Sequence, residues 1–400
     1  MTDMRMKGLI IITKIKPGKE DALRTILREI KNDLEGNPYV NFYKDRMTHL
    51  ARWVILNDSE NGLRLLFASN FNGDTNHYIE ELIRISPTMD EIWRKCEGYP
   101  GIEGFLEYAH QHSYKTQLPF FAFPDETVES IRFKIAFRNY IEEFIDYSNS
   151  VAKMDDLLTM LPKFTRKQSW LNKVDLAVAK AWRAFLSSIH QGILSVALWI
   201  AHKYGELDQA REFTVVADTC SDSERLRREI AHVNTLRDSE DDFEQNQFTL
   251  LAEIKPNRLS RLRIALFLGT FIARFGFPPG EIRGIFTIHS FHWVIIDNGK
   301  RLLFMSNYDG SAENYLGDFL DKLHWGLNIY YKNCVGYPEG GMAQVEAFTH
   351  WINEHQIAPE IYYSAYPQES VLNIIRDRRT FSALGDRFTP ETAEQWLELL

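Results

Sequence analysis

Two histidines in matching sequence contexts are the residues of this chain best suited to bind a ligand. His49 lies in Thr-His-Leu-Ala-Arg-Trp and His289 in Ile-His-Ser-Phe-His-Trp, so a tryptophan, Trp53 or Trp293, follows each of them by four residues. Residues i and i+4 of a strand point to the same side, which predicts that each histidine shares a sheet face with its tryptophan. A neutral imidazole is a common ligand for metals and for haem iron. A buried histidine can equally be a core residue that needs only a hydrogen-bond partner.

A second pair of histidines has helical spacing. His112 follows Tyr108 by four residues, and His355 follows Trp351 by four residues. Side chains four residues apart are neighbours on a helix, so each histidine can stack on its aromatic neighbour, cap the helix or bind a ligand. The candidate cofactor-binding residues are therefore His49, His289, Trp53, Trp293, His112 and His355.

Three further residues are candidates for catalysis. Arg52 in the first context is replaced by His292 in the second, so two sites built from these segments would not be equivalent. Asp309 lies in Asn-Tyr-Asp-Gly (307–310), which matches Asn-Phe-Asn-Gly (70–73). A carboxylate beside a ligand can transfer protons, whereas Asn and Asp in such segments also form turns and helix N-caps. The catalytic candidates are Arg52, His292 and Asp309.

These matching contexts belong to an internal duplication. Residues 48–58 match 288–298 at an offset of 240, and residues 64–73 match 301–310 at an offset of 237. Shorter matches pair 15–17 with 254–256, 96–100 with 334–338, and 120–124 with 363–367. Solenoid repeats are about 20 to 50 residues long, so this longer period indicates a duplicated domain.

Each copy has the pattern of the ferredoxin-like βαββαβ unit. In copy one, the predicted elements are strands at 8–15, 48–57, 63–71 and 120–123 and helices at 19–34 and 75–95. In copy two, Asp297-Asn298-Gly299 predicts a tight hairpin, because Asn-Gly accepts the positive φ of a type I′ turn. Helices cover one face of such a sheet, so the second copy is the expected partner of the other face. The predicted fold class is α+β, with internally duplicated ferredoxin-like units packed sheet to sheet around an aromatic-lined cavity, and with an α-helical insert.

The expected domains are copy one at 1–124, a helical insert and linker at 125–245, copy two at 246–367 and a helical tail at 368–400. Within the insert, 129–147 predicts an amphipathic helix. The segment 184–201 has no Asp, Glu, Lys or Arg, but its polar residues favour a buried or interfacial helix over a membrane span.

The first helix differs between the copies. In copy one it is charged, whereas 258–277 in copy two has almost no polar face. A helix that is apolar on most sides is covered by protein or lies in a lipid interface. Cover by 176–204 is one interpretation. Attachment to an anionic membrane surface is the other, aided by Arg258, Arg261, Arg263 and Arg274.

The chain resembles the dimeric α/β-barrel superfamily, whose fused members include dye-decolourising peroxidases and chlorite dismutase-like proteins. It is also similar to an uncharacterised bacterial family with the motifs THxARW, LLFxSNYDG, GYP and YSAYP, matched here at 48–53, 302–310, 336–338 and 363–367. The superfamily resemblance implies a haem-dependent, peroxidase-like oxidoreductase with His289 or His49 as the axial ligand. Dye-decolourising peroxidases carry GxxDG, and the segment 307–310 lacks the first glycine of that motif.

Composition excludes some other classes. The net charge of −9, from 46 Lys and Arg against 55 Asp and Glu, argues against nucleic-acid binding. Cys96, Cys220 and Cys334 form neither a disulfide framework nor a metal motif and fit a reducing compartment. The first residues do not have the pattern of a signal peptide. We therefore expect a cytoplasmic protein, either in solution or peripheral to the inner face of the membrane.

Three hypotheses follow from the sequence. In the first, the cavity binds an apolar small molecule or haem, with oxidoreductase activity. In the second, the chain is a non-catalytic, membrane-peripheral lipid-binding or assembly module that uses 258–277. In the third, it is a structural homologue that forms homo-oligomers. The sequence leaves open whether the protein is an enzyme.

Overall fold

The computed structural model describes residues 5–147, apart from 43, 59 and 60, and residues 244–383. The segments 176–204 and 184–201 and Cys220 lie outside the described residues. The first half contains β1 (Met6–Lys14), α1 (Glu20–Asn32), β2 (Thr48–Asp58), β3 (Gly62–Asn72), α2 (Thr75–Ile85), α3 (Asp90–Trp93), α4 (Phe105–Gln111), β4 (Leu118–Phe121) and α5 (Val128–Tyr147). The second half contains β5 (Gln245–Glu253), α6 (Leu259–Phe275), β6 (Ile288–Ile296), β7 (Arg301–Asp309), α7 (Ala312–Lys322), α8 (His324–Tyr331), α9 (Val345–His355), β8 (Ile361–Ser364) and α10 (Val371–Ala383).

The strands form two four-stranded antiparallel sheets, which confirms the predicted α+β class. Their orders are β1-β3-β2-β8 and β4-β6-β7-β5, so each sheet takes three strands from one copy and one strand from the other. β8 pairs with β2, with Leu50 opposite Ser364, and β4 pairs with β6, with Leu118 opposite Trp293. This exchange of last strands differs from an isolated βαββαβ unit, and it covers edges of β2 and β6 that would otherwise be open.

Helices and aromatic side chains cover the outer face of each sheet. Trp53 and Trp293 are each only 1% exposed. The ring of Trp53 lies 4.6 Å from that of Phe67, and the ring of Trp293 lies 4.4 Å from that of Phe304. The two tryptophans therefore belong to the cores between a sheet and its helices.

The expectation that each histidine shares a face with its tryptophan is wrong. The register of β2 against β3 shifts between Thr48 and Leu50, and that of β6 against β7 shifts between Ile288 and Ser290. A bulge adds one residue to a strand and reverses the alternation of side chains beyond it. The imidazole of His49 consequently lies with Asn72, on the side of the other sheet, while Trp53 points to the helices.

The space between the sheets is occupied by aliphatic and polar side chains, which corrects the expectation of an aromatic-lined cavity. One part is an apolar cluster of Ile10, Ile12, Val54, Leu56, Leu66, Ala68, Val294, Ile296, Leu303 and Met305. The other part is a polar layer in which side chains of one sheet bond to the other sheet. Side chains from the inner faces of both sheets thus pack together in this space, as in other face-to-face sheets.

Two local predictions have different outcomes. The single helix expected at 75–95 is wrong: α2 ends at Ile85, and a 3₁₀ turn at Pro87–Met89 separates it from α3. Proline cannot donate the backbone hydrogen bond that would continue the helix. The predicted hairpin turn is confirmed: Asn298 has φ 54° and Gly299 has φ 91°, and Lys300 N donates to Asp297 O at 3.1 Å.

Among the described residues, no helix has both the length and the apolar content that a bilayer crossing requires.

Candidate functional site

His49 lies in a buried, fully hydrogen-bonded centre between the halves. Its Nε2–H donates to Asn72 Oδ1 at 2.6 Å, and its Nδ1 accepts from the hydroxyl of Tyr366 at 2.9 Å. Tyr366 comes from the other copy and reaches His49 because β8 pairs with β2. Burial lowers the pKa of His49 to about 4, so the ring is neutral. Asn72 also accepts from Val128 N at 3.3 Å and thus holds the start of α5.

His289 lies in the matching centre of the second half. Its Nε2–H donates to Asp309 Oδ1 at 2.6 Å, and the other carboxylate oxygen accepts from Val371 N at 2.7 Å. Asp309 therefore holds the start of α10, as Asn72 holds the start of α5. Both residues act on the helix after the exchanged strand, whereas the N-caps of α2 and α7 are Asp74 and Ser311.

The two centres differ at one buried atom. Among the described residues, Nδ1 of His289 has no hydrogen-bond partner, although Nδ1 of His49 is bonded to Tyr366. The residue of copy one that matches Tyr366 is Phe123, which has no hydroxyl group. The backbone around the two sites is equivalent, since Ala122 N donates to His289 O and Ala365 N to His49 O, both at 2.8 Å. The unpartnered nitrogen is therefore explained by a single side-chain difference between the copies.

Arg52 crosses from the first sheet to the second and is 3% exposed. Its guanidinium donates to five uncharged acceptors, which are Gln247 Oε1 (2.8 Å), Phe248 O (2.8 Å), Thr249 Oγ1 (3.0 Å), Ser306 O (2.8 Å) and Asn307 Oδ1. No described carboxylate forms an ion pair with it. Burial lowers its pKa to about 10, which still leaves it charged at neutral pH. Arg52 thus joins the two sheets.

His292 is bonded on both ring nitrogens. Nε2–H donates to Asn70 Oδ1 at 2.7 Å, and Thr116 Oγ1 donates to Nδ1 at 3.3 Å. Burial lowers its pKa to about 3, with a smaller contribution from the charge of Arg52. The ring fits because the facing residue is Gly8: a Cβ there would lie 2.5 Å from Cε1 of the imidazole.

The second histidine pair is separate from these centres. His112 Nδ1–H donates to Tyr108 O at 2.8 Å and its ring lies 4.2 Å from that of Tyr108. His355 Nδ1–H likewise donates to Trp351 O at 2.8 Å, with the rings 4.4 Å apart. The ring of His355 stacks on Trp351, whereas the ring of His112 is tilted by 37° against Tyr108. Both histidines bond the helix end, and their proposed ligand role stays a prediction.

Of the sequence candidates, the structure brings His49, His289 and Asp309 towards one place. The rings of His49 and His289 lie 5.8 Å and 6.3 Å from the ring of Tyr366. Sequence reasoning did not single out Tyr366 or Asn72. The difference between Phe123 and Tyr366 at matched positions was the available signal for the first.

The described residues contain two buried free cysteines and no cluster of metal-ligand side chains. No group of three or more His, Cys, Asp or Glu residues in 5–147 and 244–383 is arranged to hold a metal ion. Cys96 and Cys334 are fully buried, and burial raises their thiol pKa values to about 11 and about 12. A thiolate nucleophile is therefore disfavoured at both positions.

Tyr366→Phe is expected to lower the free energy of unfolding by about 2 kcal/mol, because it leaves Nδ1 of His49 buried without a donor. Phe123→Tyr offers the same hydroxyl group to His289 and should raise the free energy of unfolding by about 1 kcal/mol. Urea denaturation of both variants measures these effects. Tyr39→Phe, which removes an exposed 2.8 Å bond to Glu29, is the control and should change little. A Tyr366→Phe effect as small as the control would contradict the assignment.

No protein-family model and no curated protein matches this sequence. Among solved structures, the chain is similar to a protein of Fusobacterium nucleatum described as a putative monooxygenase, with 5% identity, a TM-score of 0.30, and coverage of 91% of this chain and 96% of the other. A likeness this low says nothing about activity.

Proposed function

We propose that the protein is a binding module that docks on an anionic membrane surface through the outer side of α6. The observation that supports this proposal is an exposed apolar stripe on α6. Ile264, Phe267 and Phe271 are 50%, 62% and 45% exposed and are spaced three and four residues apart, which places them on one side of the helix.

The matching helix of the first half provides an internal comparison. Leu23 and Leu27 of α1 correspond to Leu262 and Leu266 of α6, and all four are completely buried. The same offset of 239 matches the stripe with Thr25, Arg28 and Asn32, which are exposed polar residues of α1. The sheet-facing side of the helix is therefore alike in the two copies, and only the outer side has become apolar.

The charges of α6 suit an anionic surface. Residues 259–275 contain Arg261, Arg263 and Arg274 and no acidic residue. An apolar stripe beside arginines is the pattern of helices that lie in the interface of anionic bilayers, where each basic residue adds about 1 kcal/mol. A lipid surface fits this combination better than a protein partner of unspecified charge.

The triple variant Ile264→Thr/Phe267→Arg/Phe271→Asn tests the proposal, because it installs the residues that α1 carries at the same positions. We expect the wild-type protein to float with vesicles of phosphatidylserine and phosphatidylcholine. The variant should bind roughly a hundredfold more weakly, since about 1 kcal/mol per side chain is lost. It gains a positive charge, so loss of binding would exclude attraction by charge alone.

The control variant Val345→Thr/Leu372→Thr removes exposed apolar side chains of α9 and α10 and should float like the wild type. Wild-type protein that stays below the vesicles, or a triple variant that still floats, contradicts membrane docking. If the wild type does not float but elutes as a dimer that the triple variant abolishes, a second copy of the chain occupies the stripe.

A second candidate, haem binding with oxidoreductase activity, is favoured by the unpartnered Nδ1 of His289. Histidines that bind metals usually donate their other ring N–H to a carboxylate, as His289 does to Asp309. His289 would then hold the iron and Asp309 would fix its tautomer, while the haem would supply redox chemistry. The ring is 4% exposed, so ligation also requires the surrounding side chains to move apart.

An absorption spectrum after expression with added haem tests this candidate. We expect a Soret band in the wild type and no Soret band in His289→Gln. The variant His49→Gln should keep the band, because both ring nitrogens of His49 are already hydrogen-bonded within the protein. Absence of the band from the wild type, or its retention in His289→Gln, would rule out this ligand role.

A further inference from the structure

A surface pocket of about 680 Å³ lies between the loop before β2 and the helix α2. It belongs to the first half and is separate from α6 and from both histidine centres. Its lining consists of four basic or histidine side chains, one carboxylate and two apolar residues: Lys44, Arg46, His77, Arg84, Glu81, Met47 and Ile85. Pockets of this size hold small metabolites.

The two walls of the pocket have defined geometry. In the loop, Asp45 is 1% exposed, and its Oδ1 accepts from Met47 N at 2.8 Å and from Thr48 N at 3.1 Å. With Asp45 anchored inward, Lys44 and Arg46 on either side of it are exposed at the pocket. On α2, residues 77, 81 and 84 have the spacing of one helix face. The basic groups are thus presented from two elements.

Only part of this positive charge is engaged within the protein. Arg84 donates to both oxygens of Glu81, at 2.5 Å and 2.7 Å, and Arg46 donates to Glu129 at 3.0 Å. The second pair is 77% and 63% exposed, so it contributes little. In the described part of the chain, no side chain forms a hydrogen bond to Nζ of Lys44. The same holds for the imidazole of His77, which lies one turn before Glu81 on α2. An incoming anion therefore meets exposed donors at Lys44 and His77, whereas it shares Arg84 with Glu81.

The second copy lacks all four of these groups. At the offsets that relate the copies, Lys44 and Arg46 correspond to Gly284 and Phe286. His77 and Arg84 correspond to Asn314 and Asp321. The basic lining is therefore specific to copy one and is not a general property of the duplicated unit, nor of a chain whose net charge is −9.

We propose that this pocket binds a small phosphate-bearing molecule, whose phosphate contacts Lys44, His77 and Arg84 and whose apolar part lies on Met47 and Ile85. Arginine and lysine donors form charge-assisted bonds to phosphate oxygens. The apolar floor predicts that a phosphate monoester with a ring or short chain binds more tightly than inorganic phosphate does.

Titration calorimetry of the full chain with inorganic phosphate and with phenyl phosphate tests this proposal. We expect saturable binding of phenyl phosphate, at least tenfold tighter than that of inorganic phosphate, with one site per chain. Lys44→Ala/Arg84→Ala should weaken it at least tenfold. Arg28→Ala, which removes an exposed cation of α1, should leave it unchanged.

Circular dichroism of Lys44→Ala/Arg84→Ala confirms that this variant is folded, which is expected because both side chains are exposed. A wild-type protein without saturable binding of either anion overturns the proposal. Equal weakening by Arg28→Ala also overturns it, since binding would then reflect general attraction by positive charge.

Discussion

Arg52→Met is expected to lower the free energy of unfolding by about 4 kcal/mol, because the substitution leaves buried acceptors in both sheets without a donor. Methionine has a similar length but offers no N–H group to Gln247, Asn307 or the carbonyl oxygens of Phe248 and Ser306. Each buried acceptor that loses its partner costs about 1 to 3 kcal/mol, and the losses are not fully additive. Guanidinium chloride denaturation measures the effect.

Two comparisons make this result specific to the cross-sheet bonds. Arg52→Lys keeps the charge but has a single ammonium group, so we expect about half of the loss. Arg28→Met removes an exposed arginine of α1 and should change the free energy of unfolding by less than about 0.5 kcal/mol. A loss below 1 kcal/mol for Arg52→Met would show that Arg52 does not hold the sheets together.

Acidification should destabilise the protein steeply, because His49 and His292 are buried in their neutral forms. Burial lowers their pKa values to about 4 and about 3, against about 6.5 in an unfolded chain. Between these values the unfolded chain binds more protons than the folded chain. The contribution of the two neutral histidines to the free energy of unfolding is therefore retained above about pH 6.5. As the pH decreases below that value, the free energy of unfolding falls by up to about 1.4 kcal/mol per pH unit for each histidine. Together they should remove about 4 kcal/mol between pH 6.5 and 4.5, because the slope is below its maximum near pH 6.5 and again near the folded pKa of His49.

Variants separate the two histidines from other titrating groups. The buried carboxyl group of Asp377 acts in the opposite direction, because burial raises its pKa to about 6 and its protonation then favours the folded state. In His292→Gln, the slope of the free energy of unfolding against pH should decrease by about 1.4 kcal/mol per unit. His110→Gln removes an exposed histidine, and its curve should run parallel to that of the wild type. If the His292→Gln curve is also parallel, the pKa of His292 is not lowered.

The fold could be predicted from the sequence because the duplication repeats whole strands and helices. The runs of β-forming residues in 48–57 and 63–71 marked two strands, and Asn298-Gly299 marked the turn that joins their counterparts. The exchange of last strands could not be predicted. The segments Leu-Pro-Phe-Phe of β4 and Ile-Tyr-Tyr-Ser of β8 fit either sheet equally well. The two-residue alternation of side chains in a strand indicates which face is buried, but it does not determine which strand is its neighbour.

The candidate site was predicted in part. His289 and Asp309 were both candidate site residues because of their residue types, and in the structure they form one hydrogen-bonded pair. The orientation of His49 relative to Trp53 was wrong, because nothing in Thr48-His49-Leu50 distinguishes a bulge from regular alternation. The contact of His49 with Tyr366 could not be predicted either, since it depends on the exchanged strand.

The strand exchange also has a consequence for synthesis on the ribosome. β2 is made early, but its partner β8 follows only after about 300 further residues, which takes roughly 15 to 60 seconds at ordinary elongation rates. During this time the edge of β2 remains open to pairing with other chains. The first half therefore emerges with three of the four strands of its sheet. Residues 361–364 of β8 then complete the first sheet.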